Sequence, residues 1–147
     1  MEEASKSRPT RIGLDTNIFI YYFGKSSEFG QAAKRVFDNL TNSKTSAVTS
    51  VISLFELLSH RELTIGDARE IEEKFFEIPN LEIVDVSRSI STAAADIRRK
   101  YGFRLADAIQ LATSVEVNVP TFITNDEGLK KFKELKVMLL TAERQGS

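Results

Sequence analysis

The chain has 147 residues, of which 41% are hydrophobic and 28% charged, a balance typical of one folded domain and unlike that of a disordered chain. It contains no cysteine and a single histidine, which excludes disulfides and cysteine nucleophiles and disfavours a zinc site or a serine triad. Any metal ion must therefore be held mainly by oxygen. The 20 basic and 21 acidic side chains nearly cancel, so the global charge neither supports nor excludes a nucleic-acid substrate.

The two ends of the chain are polar. Residues 1–10 predict a disordered lead-in and residues 142–147 a C-terminal tail, with a single domain over residues 11–141 between them. No apolar run reaches the ~18 residues of a membrane-spanning helix, and the N-terminus lacks the apolar centre of a signal peptide. We therefore expect no membrane association and a cytoplasmic location.

Strand and helix patterns alternate along the chain. Short apolar runs predict five strands, over residues 11–15, 45–49, 81–86, 121–124 and 136–140. Apolar residues spaced three and four apart, with capping and breaking residues around them, predict helices that begin at Thr16 or Asn17 and then cover residues 29–40, 50–59, 65–76, 87–101, 105–117 and 126–132. The helix over 50–59 is expected to be largely buried. The inward face of the helix over 65–76 is predicted to carry Ala68, Ile71, Phe75 and Phe76.

Strands separated by helices require crossover connections, which produce a mainly parallel sheet covered on both faces. The predicted fold is therefore α/β, a three-layer α/β/α domain with a central sheet of four to five strands.

One carboxylate interrupts the apolar run of residues 12–23. Asp15 follows Leu14 and precedes Thr16 and Asn17, residues that cap helices. Burying a lone carboxylate among apolar side chains is costly unless it is paired, hydrogen-bonded or bound to a metal. Asp15 is therefore predicted to end the first strand and to have a partner there.

Three further acids are predicted near the same edge of the sheet. Glu56 lies in the helix after the second strand, Asp107 in the first turn of the helix from Leu105, and Asp126 after the strand over 121–124. Sites in open parallel sheets form beyond the carboxyl ends of the strands, where loops and helix N-termini converge.

Each acid also has a simpler explanation. Asp15 or Asp126 could cap a helix or a turn, and Asp107 could complement a helix dipole. Glu56 could lie on a solvent-exposed helix face with Ser53 and His60. Gathered at one edge, however, the four carboxylates would repel one another unless a cation intervened. Hard oxygen ligands suit Mg2+ or Mn2+, the ions of metal-assisted phosphodiester hydrolysis.

In order and spacing, four motifs resemble those of PIN-domain nucleases, and most closely those of single-domain VapC-type toxins of toxin–antitoxin pairs. They are Leu14-Asp15-Thr16-Asn17, Leu54-Phe55-Glu56-Leu57, the stretch from Leu105 through Asp107 to Ala112, and Ile123-Thr124-Asn125-Asp126. The resemblance covers residues 11–140.

The resemblance implies an endoribonuclease that uses Mg2+ or Mn2+, with RNA as substrate, a VapB-type antitoxin as partner and a homodimer as assembly. Asp15 and Asp107 would be central metal ligands, Glu56 a ligand or a supporting group, and Asp126 a ligand of a second, weaker ion. Thr16, Asn17, Thr124 and Asn125 would support these acids.

RNA would have to be held by basic residues outside the acidic pocket. Six candidates lie near Asp107 or Asp126 in sequence, although each is also compatible with ordinary surface charge: Arg98, Arg99, Lys100, Arg104, Lys130 and Lys131. His60 lies four residues after Glu56 and would share its helix face, but a structural or neutral role is the simpler interpretation.

Three other functions remain open. An aspartate at the end of a first strand also marks haloacid-dehalogenase-like phosphatases, but those enzymes have a second aspartate where this chain has Asn17. A PIN fold kept only as an interaction module is disfavoured by the complete set of acids. A housekeeping PIN nuclease in RNA processing would carry the same acids as a toxin.

Overall fold

The computed structural model describes residues 9–24 and 28–140. Residues 1–8 of the predicted lead-in and the whole predicted tail, residues 142–147, lie outside the described residues. Within these ranges, no helix has the length and apolarity needed to cross a membrane.

A five-stranded, entirely parallel sheet forms the centre of the domain, which confirms the prediction of a mainly parallel sheet of four to five strands. Its strands in sheet order are β3 (Leu81–Val84), β2 (Thr45–Ser50), β1 (Thr10–Leu14), β4 (Thr121–Thr124) and β5 (Lys136–Leu139). From β1 the chain continues to β2 and β3 on one side of the sheet and then crosses back to β4 and β5 on the other side of β1. The strand order therefore reverses between β1 and β4. Ligands of open α/β sheets bind at such a switch point, beyond the carboxyl ends of the strands.

Six α-helices and one 3-10 helix connect the described strands. They are α1 (Thr16–Gly24), α2 (Gly30–Thr41), α3 (Ile52–Leu58), α4 (Ile65–Phe76), α5 (Arg88–Tyr101), α6 (Leu105–Glu116) and the 3-10 helix Glu127–Lys131. Local sequence sets several of their ends. Thr64 and Asp67 form a capping box at the start of α4, Ser87 caps α5, and Gly102 ends α5 with a left-handed backbone at φ +76°.

Two apolar cores separate the domain into three layers. On one face of the sheet, Leu14 of β1 packs with residues of α1 to α4, including Phe19, Phe37 and Phe75. The ring centroids of Phe19 and Phe75 lie 5.2 Å apart in an edge-to-face contact. On the other face, α5, α6 and the 3-10 helix pack against Phe122 of β4. The predicted α/β/α layering is confirmed.

Several predicted boundaries and one core residue are wrong. The β2–β3 ladder ends at the pair Ser50 and Val84, so β3 stops two residues early and α3 begins only at Ile52. Residue 15 lies just past β1, although its N–H still donates to the Ile123 carbonyl at 3.0 Å. Phe76 is 55% exposed, because Phe75 already fills the core and adjacent helical residues point in different directions.

Gly13 allows α6 to lie close against β1. A Cβ at this position would lie 2.2 Å from Ser114 Oγ of α6 and 3.0 Å from a ring carbon of Phe122. A side chain at residue 13 therefore has no room unless the Ser114 side chain turns away or α6 moves, and α6 carries Asp107.

Gly13→Ala is expected to destabilise the fold by roughly 1–3 kcal/mol, because it overpacks a buried contact. Urea unfolding would measure the change. Gly66→Ala is the matched control, because a Cβ there meets only Thr64 Oγ1, at 3.8 Å, and should leave the midpoint unchanged or slightly raised. Adding Ser114→Ala removes the closest atom and should restore part of the loss. Equal midpoints for Gly13→Ala and Gly66→Ala would contradict the close packing.

Candidate metal and nucleic-acid site

The four predicted acids line one cavity of about 400 Å³ at the switch point between β1 and β4. They come from four separate segments: Asp15 follows β1, Glu56 lies in α3, Asp107 in the first turn of α6, and Asp126 between β4 and the 3-10 helix. The other residues that line the cavity are Thr16, Asn17, Ile20, Phe55, Ser59, His60 and Arg104.

Asp15 is buried and each of its carboxylate oxygens accepts a hydrogen bond. The Thr16 N–H donates to Oδ1 at 2.8 Å, and the Thr124 hydroxyl donates to Oδ2 at 2.6 Å. The first bond follows from the start of α1, where backbone N–H groups have no helical partner. The second joins the ends of β1 and β4, so the carboxylate is fixed across the switch point.

The pKa of Asp15 is raised from 3.8 to about 6. Burial is the largest cause, and the negative charges of Asp107 and Glu56 raise the pKa further. The hydrogen bonds from Thr124 and Thr16 act in the opposite direction, because they stabilise the charged form. The charged form of Asp15 is therefore costly in this fold unless a cation offsets it.

Glu56 is half-buried and directed towards the site. Its Oε1 accepts a hydrogen bond of 2.5 Å from the Thr16 hydroxyl. Ser53, expected as a possible member of a solvent face with Glu56, is fully buried, whereas His60 is exposed. The explanation of Glu56 as a solvent-facing residue is thus not supported by its contacts.

A buried polar network beneath the acids was not identified from the sequence. Gln110 Nε2 donates to Ser53 Oγ at 2.7 Å and to Thr16 Oγ1 at 3.2 Å, while Gln110 Oε1 accepts from the Ser50 N–H at 3.2 Å. Thr49 donates to the Leu14 carbonyl at 2.9 Å and bonds with Ser53 at 2.8 Å. The available signal was spacing, because Gln110 lies three residues after Asp107 and Ser53 three before Glu56, on the same helix faces.

Gln110→Met is expected to destabilise the domain by roughly 2 kcal/mol, because it leaves the buried Ser50 N–H without its acceptor and removes a donor to Ser53. Chemical denaturation would measure the loss. The exposed Gln31 of α2 offers a matched control, and Gln31→Met should have little effect. A loss no larger than that of the control would show that the network contributes little to stability.

Asp107 is buried and forms an ion pair with an exposed arginine that also lines the cavity. Arg104 Nε donates to Asp107 Oδ2 at 3.2 Å, although 81% of the arginine side chain is exposed. The pKa of Arg104 is raised by this hydrogen bond, by the charge of Asp107, and by the charges of Asp126 and Glu56. Arg104 therefore interacts with three of the four acids.

Asp126 has two roles at the end of β4. Its Oδ1 accepts from the Gly128 N–H at 2.9 Å and so caps the 3-10 helix, as its simpler explanation predicted. Its own N–H donates to Thr124 Oγ1 at 3.0 Å, which ties it to the same hydroxyl that holds Asp15. Capping and a place in the acidic cavity are therefore compatible.

The two asparagines of the motifs connect the neighbouring loops. The Asn125 N–H donates to Asn17 Oδ1 at 3.3 Å, and Asn125 Nδ2 donates to the Tyr21 hydroxyl at 2.6 Å. These bonds hold α1 against the loop after β4. They position the acids indirectly and involve none of the carboxylate oxygens.

Residues 12–135 match the family model described as the PIN domain. The chain belongs to the PIN domain family. No individual curated protein sequence gives a significant match to this PIN domain.

Several solved structures share the fold of this PIN domain. A toxin–antitoxin complex from Klebsiella pneumoniae matches with a TM-score of 0.65 and 22% identity, over 86% of this chain and 95% of that one. VapBC2 from Rickettsia felis, bound to a DNA fragment from the promoter, matches with a TM-score of 0.67 and 18% identity, over 91% and 100%. DNA-bound VapBC from Salmonella typhimurium matches with a TM-score of 0.68 and 17% identity, over 89% and 98%. At these identities the likeness establishes the fold.

The six basic residues predicted to hold RNA have different surroundings in this PIN domain. Arg104 lines the acidic cavity, whereas Arg99 forms an ion pair with Asp96. Lys100 lies 5.4 Å from the ring centroid of Tyr101, and Lys131 lies 5.3 Å from that of Phe103. These two rings are stacked with their centroids 5.3 Å apart, which brings the two lysines to one aromatic pair. Arg98 and Lys130 are exposed.

The acids fit a hard divalent cation by the chemistry of their donor atoms. Within residues 9–24 and 28–140, no group of three or more Asp, Glu, His or Cys side chains is arranged to hold a metal ion. Mg2+, however, is commonly bound by one or two carboxylates and keeps several waters. One oxygen each of Glu56, Asp107 and Asp126 accepts a hydrogen bond, and the other has no hydrogen-bond partner among the described residues. Three acids of the cavity thus retain an oxygen that can bind a cation.

Proposed function

We propose that this PIN domain is a Mg2+- or Mn2+-dependent endoribonuclease and the toxin of a VapBC-type toxin–antitoxin pair. The observation that carries the proposal is the convergence of Asp15, Glu56, Asp107 and Asp126 on one cavity at the switch point of the sheet. The charges of Asp107 and Glu56 both raise the pKa of Asp15. A divalent cation is the group that would offset their repulsion.

Asp15 and Asp107 would hold the principal ion, with Glu56 as a further ligand or a supporting group and Asp126 on a second, weaker ion. A bound divalent ion lowers the pKa of its water and neutralises charge on the reacting phosphodiester. The reaction then needs no side-chain nucleophile, which agrees with the absence of cysteine from the sequence.

The remaining residues orient the acids and the substrate. Thr16 and Thr124 fix both oxygens of Asp15, and Thr16 also holds Glu56, so one residue sets the positions of two acids. Arg104 contacts Asp107 through Nε, which leaves its two terminal nitrogens available to hold an RNA phosphate beside the acids. Lys100 and Lys131 would extend this basic surface away from the cavity.

A VapB-type antitoxin is the proposed partner, supported by the similarity to solved toxin–antitoxin complexes. A second cavity of about 730 Å³ between α1, α2 and the end of α4 offers such a partner a partly apolar groove. It is lined by Tyr21, Tyr22, Phe23, Phe37 and Ile78 and by polar residues that include Lys34, Lys74 and Glu77. Apolar grooves of this kind accept amphipathic peptide segments. A homodimer in the cytoplasm completes the proposal.

The decisive experiment incubates the purified, partner-free chain with a mixed RNA population and Mn2+ and sequences the new RNA ends. We expect a small set of defined cleavage sites, and complete loss of cleavage when EDTA removes the metal. Cleavage that persists in EDTA would contradict the metal mechanism. Failure to cleave any RNA with Mn2+ or Mg2+ would favour a PIN fold retained for binding.

Expression in a bacterial host distinguishes a toxin from a housekeeping nuclease. Induction of the wild-type chain is expected to arrest growth, and co-expression of the cognate antitoxin should relieve the arrest. An enzyme that cleaves RNA in vitro but leaves growth unaffected would instead be a nuclease of RNA processing.

A further inference from the structure

An exposed phenylalanine stands at the rim of the acidic cavity. Seven large apolar side chains are exposed among the described residues, and two of them, Ile20 and Phe55, line this cavity. Phe55 is the more exposed of the two, at 66% against 37% for Ile20. Its ring makes no aromatic contact with another described residue, whereas the exposed Phe76 packs edge-on against Phe75 at 5.5 Å.

The position of Phe55 follows from the packing of α3. Ser53 and Leu57 are buried, and Glu56 is turned into the site by its bond to Thr16. Successive residues of a helix point about 100° apart, so Phe55 cannot enter the core together with Leu57. Its ring is therefore presented to solvent next to an acid of the site, on a helix held in place by the Gln110 network.

The apolar ring of Phe55 suits a different part of RNA from the phosphate, which Arg104 can bind. The acids repel the phosphate backbone, and of the basic residues predicted to hold RNA only Arg104 lines the cavity. Nucleobases, in contrast, are uncharged and stack on aromatic side chains, with a contribution of roughly 1–3 kcal/mol per base. Only an unpaired base exposes its face for such stacking.

We propose that Phe55 is a stacking platform for one unpaired base of the RNA substrate, adjacent to the phosphodiester that is cleaved. The inference rests on the proposed ribonuclease function and deepens it, because it assigns an exposed side chain at the rim of the cavity to the binding of a substrate base. Phe55 binds and positions the substrate and takes no part in the chemical step.

The chain contains no tryptophan, so Phe55→Trp introduces a single tryptophan at the platform, whose emission can be excited separately from that of the three tyrosines. Titration with a single-stranded octaribonucleotide in EDTA, which prevents cleavage, is expected to quench its emission saturably. A duplex of the same sequence should not. Phe76→Trp is the matched control, because Phe76 is also exposed but does not line the cavity. Quenching of both variants to the same extent would overturn the proposal.

Phe55→Leu keeps the apolar character but removes the ring. It is expected to raise the Kd for the octaribonucleotide, measured by fluorescence anisotropy, by roughly 5- to 100-fold. Phe76→Leu should leave it unchanged. In cleavage assays, an abasic nucleotide beside the cut should lower kcat/KM for the wild type but have little further effect on Phe55→Leu, because the two changes remove the same contact.

The outcomes separate this proposal from the proposed function. If the wild type cleaves RNA but RNA does not quench Phe55→Trp and Phe55→Leu binds RNA as the wild type does, the stacking role of Phe55 is wrong. The proposed nuclease function would then still stand. If RNA quenches Phe55→Trp but the wild type cleaves no RNA with any metal ion tested, base binding is supported and the proposed nuclease function is wrong. Emission that depends on protein concentration and not on RNA would show that a second copy of the chain covers Phe55, and would overturn the proposal.

Discussion

Asp15→Asn is expected to reduce metal-dependent RNA cleavage by roughly 100-fold or more, because it removes the charge of the proposed principal ligand. The amide is nearly isosteric with the carboxylate, so its oxygen can still accept the Thr16 N–H and its nitrogen can bond with Thr124. The loss should therefore arise from altered chemistry in an intact fold. Initial rates with Mn2+, together with circular dichroism of both proteins, would measure it.

Asp85→Asn provides a matched control for this substitution. Asp85 is exposed, follows β3 and does not line the acidic cavity. The Asp85→Asn variant should therefore cleave RNA at the wild-type rate. If Asp15→Asn and Asp85→Asn cleaved equally well, Asp15 would not be a ligand of the reacting centre.

The same Asp15→Asn substitution is expected to stabilise the fold at neutral pH in the absence of divalent ions. The pKa of Asp15 is about 6 in the folded chain against an ordinary value of 3.8. Between these values the folded protein keeps a proton that the unfolded chain has released, so rising pH favours unfolding. The ionisation of Asp15 therefore costs stability progressively between about pH 4 and pH 6, by roughly 3 kcal/mol when complete.

Free energies of unfolding from urea titrations in EDTA would test this dependence. The difference between Asp15→Asn and the wild type should be small at pH 4 and should grow in favour of the variant up to pH 7. The difference between Asp85→Asn and the wild type should not show this step near pH 6. If the difference in unfolding free energy between Asp15→Asn and the wild type did not change with pH, the pKa of Asp15 would not be raised in the folded chain.

Added Mn2+ gives a readout that does not depend on catalysis. A ligand that binds only the folded state stabilises it, so Mn2+ at pH 7 should raise the unfolding free energy of the wild type. It should have a much smaller effect on Asp15→Asn. Together, these results would show that the ionised carboxylate at the end of β1 destabilises the fold and is retained because the site uses its charge.

Much of the secondary structure followed from the sequence alone. The helix over 65–76, the strand over 121–124 and the ends of α5 at Ser87 and Gly102 were predicted correctly, because local spacing and capping residues specify them. The ends of α3 and β3 were not, because β2 and β3 stop pairing at Ser50 and Val84, and pairing between distant segments is not visible in local sequence.

The sequence by itself determined the α/β/α architecture with a mainly parallel sheet and the identity of four acids, three of them just after a strand or in the first turn of a helix. The alternation of strands and helices makes the sheet parallel and so brings the carboxyl ends of its strands to one edge. Only the tertiary structure decided what surrounds the four acids. It buried Gln110 and Ser53 as supports, set Arg104 on Asp107, and left the Phe55 ring exposed at the rim while the Phe75 ring filled the core. These outcomes depend on which helix packs against which strand, and residues with similar local patterns can therefore reach opposite environments.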